Sequence, residues 1–196
     1  PAGLVLPFTA AALLASASGG RVVLYHQRDP LAPARGGVRV FVPGTTPRQK
    51  RERIVKRIAR ELRDRFYVNL GIGMPTLVAN HIAAGHEVMM HSENGVIGFG
   101  PAPREGEEDY DLINAGKQPV TLLPGGSFFH HADSFAMMRG GHLDFCVLGA
   151  FQVSVRGDLA NWHTGAADAI PAVGGAMDLA IGAKQVLVMM TLFAKD

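Results

Sequence analysis

The stretch Val88-Met-Met-His-Ser-Glu-Asn-Gly95 runs from an apolar segment through polar residues into a glycine turn. We predict a strand over residues 87–91, with Glu93 at its far end, just before Gly95, Gly98 and Gly100. A carboxylate that follows a buried strand lies at the mouth of a sheet, where poor hydration favours its use as a nucleophile. An ordinary loop acid is the alternative, and spacing alone leaves both interpretations open.

Beyond this stretch, short apolar runs alternate with helical and glycine-rich segments. Strands are predicted over residues 66–70, 120–123, 145–148 and 186–192, and helices over residues 75–82, over residues 134–138 and from Met177. A further helix is predicted to begin at Thr46, because Thr46-Pro-Arg-Gln49 has a capping-box pattern. This order predicts an open, largely parallel α/β sheet flanked by helices, in which ligands bind beyond the carboxyl ends of the strands.

The chain of 196 residues is divided into an N-terminal extension over residues 1–45 and a domain over residues 46–196. We expect the extension to be poorly ordered apart from a short helix over residues 10–15. Residues 5–17 resemble a secretion-signal core but lack a preceding basic stretch, so we expect no secretion. No apolar run is long enough to span a membrane, and a net charge of +2 gives no reason to expect nucleic acid binding.

Other nucleophiles and metal sites fit the sequence poorly. Cys146 lies within an apolar run and is interpreted as a buried, unreactive thiol. Asp133, Ser134 and His131 could suggest a hydrolase triad, but the G-x-S-x-G elbow is missing. Solvated or capping roles are favoured over a metal site, because no HExxH or CxxC spacing accompanies His130, His131, His142 and His163.

Three further features have weaker signals. Gly71-Ile-Gly73 follows a strand and could approach a phosphate, but the third glycine of a dinucleotide site is missing, so a tight turn is favoured. Lys117 lies near a strand and could bind a phosphate or carboxylate. The charge run over residues 104–109 is interpreted as a solvated loop, with a mobile lid as the alternative.

Several motifs, in order, resemble the beta subunit of family I CoA-transferases, particularly the succinyl-CoA:3-ketoacid transferases. The resemblance covers residues 54–196 and leaves residues 1–45 outside. The matching stretches are Val68-Asn-Leu-Gly-Ile-Gly-Met-Pro-Thr-Leu-Val-Ala-Asn80, Ser92-Glu-Asn-Gly95, Gly98-Phe-Gly-Pro101, Leu112-Ile-Asn-Ala-Gly-Lys-Gln-Pro-Val120, Ala132-Asp-Ser-Phe-Ala-Met-Met-Arg-Gly-Gly141, Gly157-Asp-Leu-Ala-Asn-Trp162 and Gly174-Gly-Ala-Met-Asp-Leu179.

The resemblance implies a CoA-transferase or sugar-phosphate isomerase-like fold and ping-pong transfer of CoA between an acyl-CoA and a carboxylic acid. The substrates that it implies are succinyl-CoA and acetoacetate or another 3-oxo acid. Glu93 would form an acyl-glutamyl anhydride and then a glutamyl-CoA thioester. Gly174 and Gly175 would supply a backbone amide for the oxyanion. The residues implied to bind CoA or substrate are Asn69, Lys117, Gly71, Gly73, Asn94 and Gly95. CoA and acyl-CoA would be substrates, with no permanently bound cofactor and no metal.

The resemblance also implies an alpha-subunit partner, in an α2β2 heterotetramer that is cytoplasmic in bacteria or in the mitochondrial matrix of a eukaryote. This sequence contains no part that corresponds to the alpha subunit, so we expect this chain alone to be inactive or nearly so. Two further departures are an altered stretch over residues 163–170 and an end at Asp196 where a short further segment is expected.

Two other functions remain as alternatives. A metabolite-binding or sugar-phosphate isomerase-like protein on the same fold would need a general base rather than a nucleophile. A non-catalytic scaffold subunit would keep its complex active when Glu93 is replaced.

Overall fold

The computed structural model describes residues 11–15, 23–25, 46–153, 158–163 and 167–190. Within these ranges the chain forms a mixed β-sheet with helices packed on both of its faces. The strands are β1 Ala11–Ala15, β2 Val23–Tyr25, β3 Tyr67–Leu70, β4 Met89–Ser92, β5 Val96–Phe99, β6 Leu122–Phe128, β7 Phe145–Gly149, β8 Gln152–Val153, β9 Leu159–Ala160 and β10 Gln185–Met190. The helices are α1 Pro47–Ala59, a 3-10 helix Met74–His81, α2 His131–Arg139 and α3 Ala176–Gly182.

The strand order of the main sheet is β2-β1-β10-β7-β3-β4-β5-β6. The four central strands, β10, β7, β3 and β4, are parallel, whereas the pairings on either side of them are antiparallel. The predicted α/β fold class is therefore confirmed, with the parallel order confined to the centre. Because these four strands run the same way, the residues that follow them meet at one edge of the sheet.

Both faces of the central strands are buried. Phe145 and Val147 of β7 pack on the face covered by α1, while Cys146 and Leu148 pack on the face covered by α2 and α3. Side chains alternate between faces along a strand, so a strand covered on both sides becomes a continuous apolar run. This explains why β7 and β10 can be predicted from their sequences.

Helix α1 begins where its capping box predicts. The Thr46 hydroxyl accepts a hydrogen bond from the Gln49 N–H at 3.2 Å, and the Gln49 side chain accepts one from the Thr46 N–H at 2.8 Å. The helix then buries an apolar stripe against the sheet while its basic residues face solvent. The stripe consists of Ile54, Val55, Ile58 and Ala59.

Several predicted elements need correction. The helix expected over residues 10–15 is wrong: Ala11–Ala15 forms β1, because pairing with β10 overrides the helix propensity of alanine and leucine. The helix after Gly73 is a 3-10 helix, and the strand expected over residues 120–123 is shifted to Leu122–Phe128. Apart from β1 and β2, the N-terminal extension lies outside the described residues, as do residues 191–192 of the last predicted strand.

The structure contains an antiparallel hairpin that the sequence does not predict. The glycines at 95, 98 and 100 indicate a turn, yet the segment Val96–Phe99 forms β5 and pairs back onto β4. Ser92 is paired with Val96, so Glu93, Asn94 and Gly95 form the short loop between the two strands. Glu93 consequently lies at a hairpin tip on the carboxyl edge of the parallel strands.

Candidate active site

Glu93 lines a cavity of about 420 Å³ at the carboxyl edge of β3 and β4. Its side chain is partly buried, and its Oε2 atom accepts a hydrogen bond from the amide nitrogen of Asn69 at 3.1 Å. Among the described residues, its Oε1 atom has no hydrogen-bond donor. One carboxylate oxygen is thus held by the protein, and the other is available for chemistry.

Asn69 lies in β3, beside His91 of β4, and is completely buried. Its amide nitrogen lies 3.1 Å from Glu93 Oε2, 3.2 Å from the backbone oxygen of His91 and 3.1 Å from His91 Nδ1. Its Oδ1 atom is buried without a partner among the described residues. The predicted contact of Asn69 with CoA stays a prediction.

His91 connects Asn69 to helix α2. Its Nε2 atom lies 3.0 Å from the hydroxyl of Ser134, which in turn lies 3.4 Å from the backbone oxygen of Ser92. Both His91 and Ser134 are buried. Desolvation lowers the pKa of His91 from 6.5 to about 4, so the imidazole is neutral at physiological pH.

Part of the cavity wall is a turn over residues 113–119, and two hydrogen bonds join this turn to the hairpin tip. The Ser92 hydroxyl accepts from the backbone N–H of Ala115 at 2.8 Å, and the Asn94 amide donates to the backbone oxygen of Ile113 at 2.7 Å. The Asn94 side chain therefore bonds to the turn and does not line the cavity. Its predicted role in substrate binding remains a prediction.

Gly95 closes the hairpin loop and has a left-handed φ of 111°. A Cβ atom at this position would lie 2.3 Å from the backbone oxygen of Phe129, so only glycine fits. Gly95 thus shapes the loop that carries Glu93, without lining the cavity itself.

Lys117 lies at the exposed tip of the 113–119 turn, with a left-handed φ of 61°. Its chain neighbours Gly116 and Gln118 line the cavity. Within the part of the chain that the structure describes, its ammonium has no ion-pair partner. Its predicted role in binding an anionic group of CoA stays a prediction.

Gly71 and Gly73 flank Ile72, which lines the cavity and is largely exposed. The Gly71 N–H donates to the backbone oxygen of Val147 at 2.8 Å, and a Cβ there would lie 2.9 Å from the same oxygen. Gly73 has a φ of 86° and precedes the 3-10 helix. These glycines form the tight strand-to-helix turn favoured by the sequence, and their role toward CoA stays a prediction.

Gly174 and Gly175 precede helix α3 on the α2 side of the sheet. A Cβ on Gly175 would lie 3.1 Å from the ring of Phe135, the residue after Ser134. Among the described residues, neither glycine bonds Glu93, and neither backbone N–H donates to an acceptor. The pair therefore lies beside α2 without a bond to the carboxylate, and its oxyanion role stays a prediction.

The remaining candidate residues behave as structural groups. Cys146 is fully buried, and desolvation, with a smaller effect of the Glu93 carboxylate, raises the pKa of its thiol well above its ordinary value. His130 caps α2, since its Nδ1 atom accepts from the Ala132 N–H at 3.1 Å. No group of residues suited to a metal ion occurs within the described ranges. No helix there is long and apolar enough to cross a membrane.

The sequence does not single out His91 as a site residue, and it does not indicate that His91 is the partner of Ser134. The triad considered for Ser134 contains His131, whereas its histidine partner in the structure is His91, 43 residues away in sequence. The available signal is the polar run His91-Ser-Glu93 directly after an apolar strand, together with a serine on the buried side of a short helix. The charge run over residues 104–109 is mostly exposed, and its Glu108 lines the cavity.

Comparison with known proteins identifies relatives of this chain. The family model described as "Coenzyme A transferase" matches residues 51–196. The B-type subunit of a 3-oxoadipate CoA-transferase of Pseudomonas putida is 67% identical over 150 residues, which cover 76% of this chain and 70% of that protein. The B-type subunit of a succinyl-CoA:3-ketoacid coenzyme A transferase of Helicobacter pylori is 56% identical over 140 residues, covering 71% of this chain and 67% of that protein.

Solved structures agree on the fold. The acyl-CoA transferase of Escherichia coli O157:H7, solved as a thioester complex with CoA, superposes with a TM-score of 0.56 at 18% identity, over 80% of this chain and 29% of that one. The apoenzyme superposes with a TM-score of 0.53 at 19% identity, over 68% of this chain and 23% of that one. The expected likeness to CoA-transferases is confirmed, and the identity is higher to the 3-oxoadipate relative than to the succinyl-CoA:3-ketoacid relative.

Proposed function

Because the chain belongs to the coenzyme A transferase family, we propose that it is the nucleophile-bearing subunit of an enzyme that transfers CoA between an acyl-CoA and a carboxylic acid. Glu93 is the proposed nucleophile. The assignment rests on the environment of its carboxylate, whose Oε2 atom accepts a hydrogen bond from buried Asn69. Its Oε1 atom has no donor among the described residues, and the side chain lines a cavity.

The proposed reaction begins when a Glu93 oxygen attacks the thioester carbonyl of the acyl-CoA. The C–S bond breaks, which gives an acyl-glutamyl anhydride and a CoA thiolate. The thiolate then attacks the Glu93 carbonyl carbon, releasing the first carboxylate and leaving a glutamyl-CoA thioester. The acceptor carboxylate reverses the sequence, so charge and atoms balance without water, ATP or a bound cofactor.

The environment of Glu93 supports this chemistry. A carboxylate is a weak nucleophile when fully hydrated, and partial burial removes some of its water. The described residues lining the cavity include Glu93 and Glu108 but no lysine or arginine, so no cation pairs with the nucleophile inside the cavity. For the oxyanion of each addition step we propose the N–H groups of Gly174 and Gly175, which donate to nothing in the described structure.

We propose that CoA lies along the cavity rim. Lys117 would hold an anionic group of CoA, and the turn at Gly71 and Gly73 would admit the pantetheine chain of CoA close to the backbone. Asn69, Asn94 and Gly95 would shape the hairpin tip and would also contact CoA directly. Remote contacts of this kind lower the barrier by offsetting the cost of strain at the reacting carbonyl.

For substrates, the names of the relatives favour 3-oxoadipate as acceptor and succinyl-CoA as donor, with acetoacetate as the alternative acceptor. Those relatives are named as B-type subunits, so we propose that this chain works with an alpha-type subunit, in an α2β2 assembly. Because no described residue lining the cavity is a lysine or arginine, charge complementary to a dicarboxylic substrate would come from Lys117 or from that partner.

The test is a CoA-transfer assay on the complex of this chain with its partner subunit. Glu93→Gln should abolish transfer from succinyl-CoA to 3-oxo acids, while Glu108→Gln, which alters a second carboxylate of the same cavity, should retain most of it. An active Glu93→Gln complex would refute the nucleophile, and transfer confined to non-oxo acids would refute the substrate class.

A further inference from the structure

For each buried hydrogen bond around Glu93, the donor and the acceptor can be assigned. Asn69 faces the backbone oxygen of His91 and the Glu93 carboxylate, and both of these groups can only accept. The amide nitrogen must therefore point toward them, which leaves Oδ1 on the other side, where it has no partner among the described residues. An inverted amide would place its oxygen against the carboxylate, which is repulsive.

The amide orientation fixes the tautomer of His91. The Asn69 nitrogen has two hydrogens for three acceptors, so at least one hydrogen is shared between two of them. Because this nitrogen can donate but cannot accept, His91 Nδ1, 3.1 Å away, carries no hydrogen. In a neutral imidazole the hydrogen is then on Nε2, which donates to the Ser134 hydroxyl at 3.0 Å. Ser134 can in turn donate to the backbone oxygen of Ser92 at 3.4 Å. The hydrogen bonds run through three buried side chains.

We propose that His91 is a positioning residue for the transfer reaction: as the Nε2–H tautomer, anchored on Ser134 of α2, it holds Asn69 in the orientation that donates to Glu93 Oε2 and leaves Oε1 to attack. This inference rests on Glu93 being the nucleophile. The pKa of His91, lowered to about 4 by burial, agrees with a permanently neutral imidazole.

A charged imidazole would disrupt this arrangement. A hydrogen on Nδ1 would face the amide hydrogens of Asn69, and two donors cannot share one hydrogen bond. Asn69 would then rotate or withdraw, and Glu93 would lose its donor. Among the described residues no cation contacts His91; the groups that contact it are Asn69, Ser134 and the ring of Phe129. The Glu93 carboxylate is one step further away, bonded to Asn69.

Two substitutions separate positioning from simple packing. His91→Asn keeps an acceptor near the place of Nδ1 but loses the contact with Ser134, whereas His91→Leu keeps much of the volume and has no acceptor. In the complete enzyme we expect His91→Leu to lower kcat by about 10- to 100-fold relative to His91→Asn, with KM for acyl-CoA unchanged within about twofold. The rate of enzyme–CoA thioester formation in a single turnover should fall in parallel.

A matched control is His86→Leu, which replaces an exposed histidine on the loop before β4 and should leave kcat unchanged. The inference is refuted if His91→Leu and His91→Asn have the same kcat. It is also refuted if the loss of kcat in each variant is fully explained by its loss of melting temperature. A wild-type enzyme that transfers CoA and depends on Glu93 would still uphold the proposed function in that case.

A measurement on the unmodified protein keeps the inference testable if a variant does not fold. Nitrogen-15 NMR of the histidine rings distinguishes a protonated from an unprotonated Nδ1. We expect His91 Nδ1 to have the shift of an unprotonated nitrogen throughout the neutral pH range. A protonated Nδ1, in either the neutral or the charged ring, would overturn the assignment.

Discussion

Strands β4 and β7 flank β3 on opposite sides and run in the same direction, yet their carboxyl ends differ in character. The end of β4 carries His91 and Ser92 and leads into Glu93, whereas the end of β7 is a buried apolar run that finishes at Gly149. Asn69 of β3 lies between them, paired with His91 on one side and with Cys146 on the other.

The hydrogen bonds of the Asn69 side chain are all directed toward β4. On the β7 side its neighbour is a buried thiol, and its own Oδ1 has no partner among the described residues. The polar contacts of Asn69 are thus confined to one side of β3, while the other side contributes apolar burial. A position at the carboxyl edge of a parallel sheet is therefore not sufficient for a site, which also needs buried polar side chains that hydrogen-bond to one another.

The largest difference between the two sides is expected at two glycines, Gly95 in the loop after β4 and Gly149 at the end of β7. Gly95→Ala should destabilise the protein by about 4 kcal/mol, since it combines a strained φ with a contact to the Phe129 oxygen that cannot be relieved without moving backbone. Gly149→Ala is the matched control, because its Cβ would approach nothing closer than 4.0 Å. Chemical denaturation measures both, and equal losses would contradict the account of the hairpin tip.

Acid should destabilise the β4 side specifically. Burial lowers the pKa of His91 to about 4, so between pH 6.5 and 4 the unfolded chain takes up a proton that the folded protein does not bind. The stability associated with neutral His91 is complete above pH 6.5 and is lost as pH falls, by up to about 3 kcal/mol. Unfolding free energies measured across this range should fall less steeply for His91→Asn, while His86→Asn should keep the wild-type slope.

The β7 side should respond to loss of volume rather than loss of polarity. Val147→Ala removes fully buried apolar atoms and should cost about 2 kcal/mol of unfolding free energy. Because Val147 points to the α1 face, away from Asn69 and His91, the kcat of the folded complex should stay within about twofold of wild type. A large fall in kcat at unchanged stability would show that the two sides are coupled.

The smallest effect is expected at Cys146. Its thiol is fully buried, and burial raises its pKa, so alkylating reagents should modify the protein only when it unfolds. Cys146→Ala should leave transfer activity intact and cost about 1 kcal/mol of stability. Rapid inactivation of the native enzyme by a thiol reagent, blocked in Cys146→Ala, would contradict this assignment.

Features that are encoded locally can be predicted from the sequence. The capping box at Thr46, the buried runs of β7 and β10 and the glutamate after β4 all depend on neighbouring residues or on burial from both faces. The fold class follows from their order. Local patterns therefore locate the nucleophile candidate, and the resemblance to CoA-transferases supplies its chemistry.

Features that depend on distant parts of the chain cannot be predicted in this way. The pairing of β1 with β10 decides that Ala11–Ala15 is extended, and nothing within that alanine- and leucine-rich segment indicates it. Likewise, the contact of Ser134 with His91 exists only once α2 is packed over β4. Interleaved glycines conceal β5, because glycine weakens any strand pattern in which it occurs.

If the Glu93 carboxylate forms the covalent intermediate, chemical trapping should find that intermediate on Glu93. The complete enzyme is incubated with succinyl-CoA, treated with borohydride to reduce any enzyme–CoA thioester, and analysed by peptide mass spectrometry. We predict a primary alcohol in place of one carboxyl group, located at Glu93 and formed only when acyl-CoA is present. An unmodified Glu93 in an active enzyme, or reduction at Glu108 instead, would contradict the account.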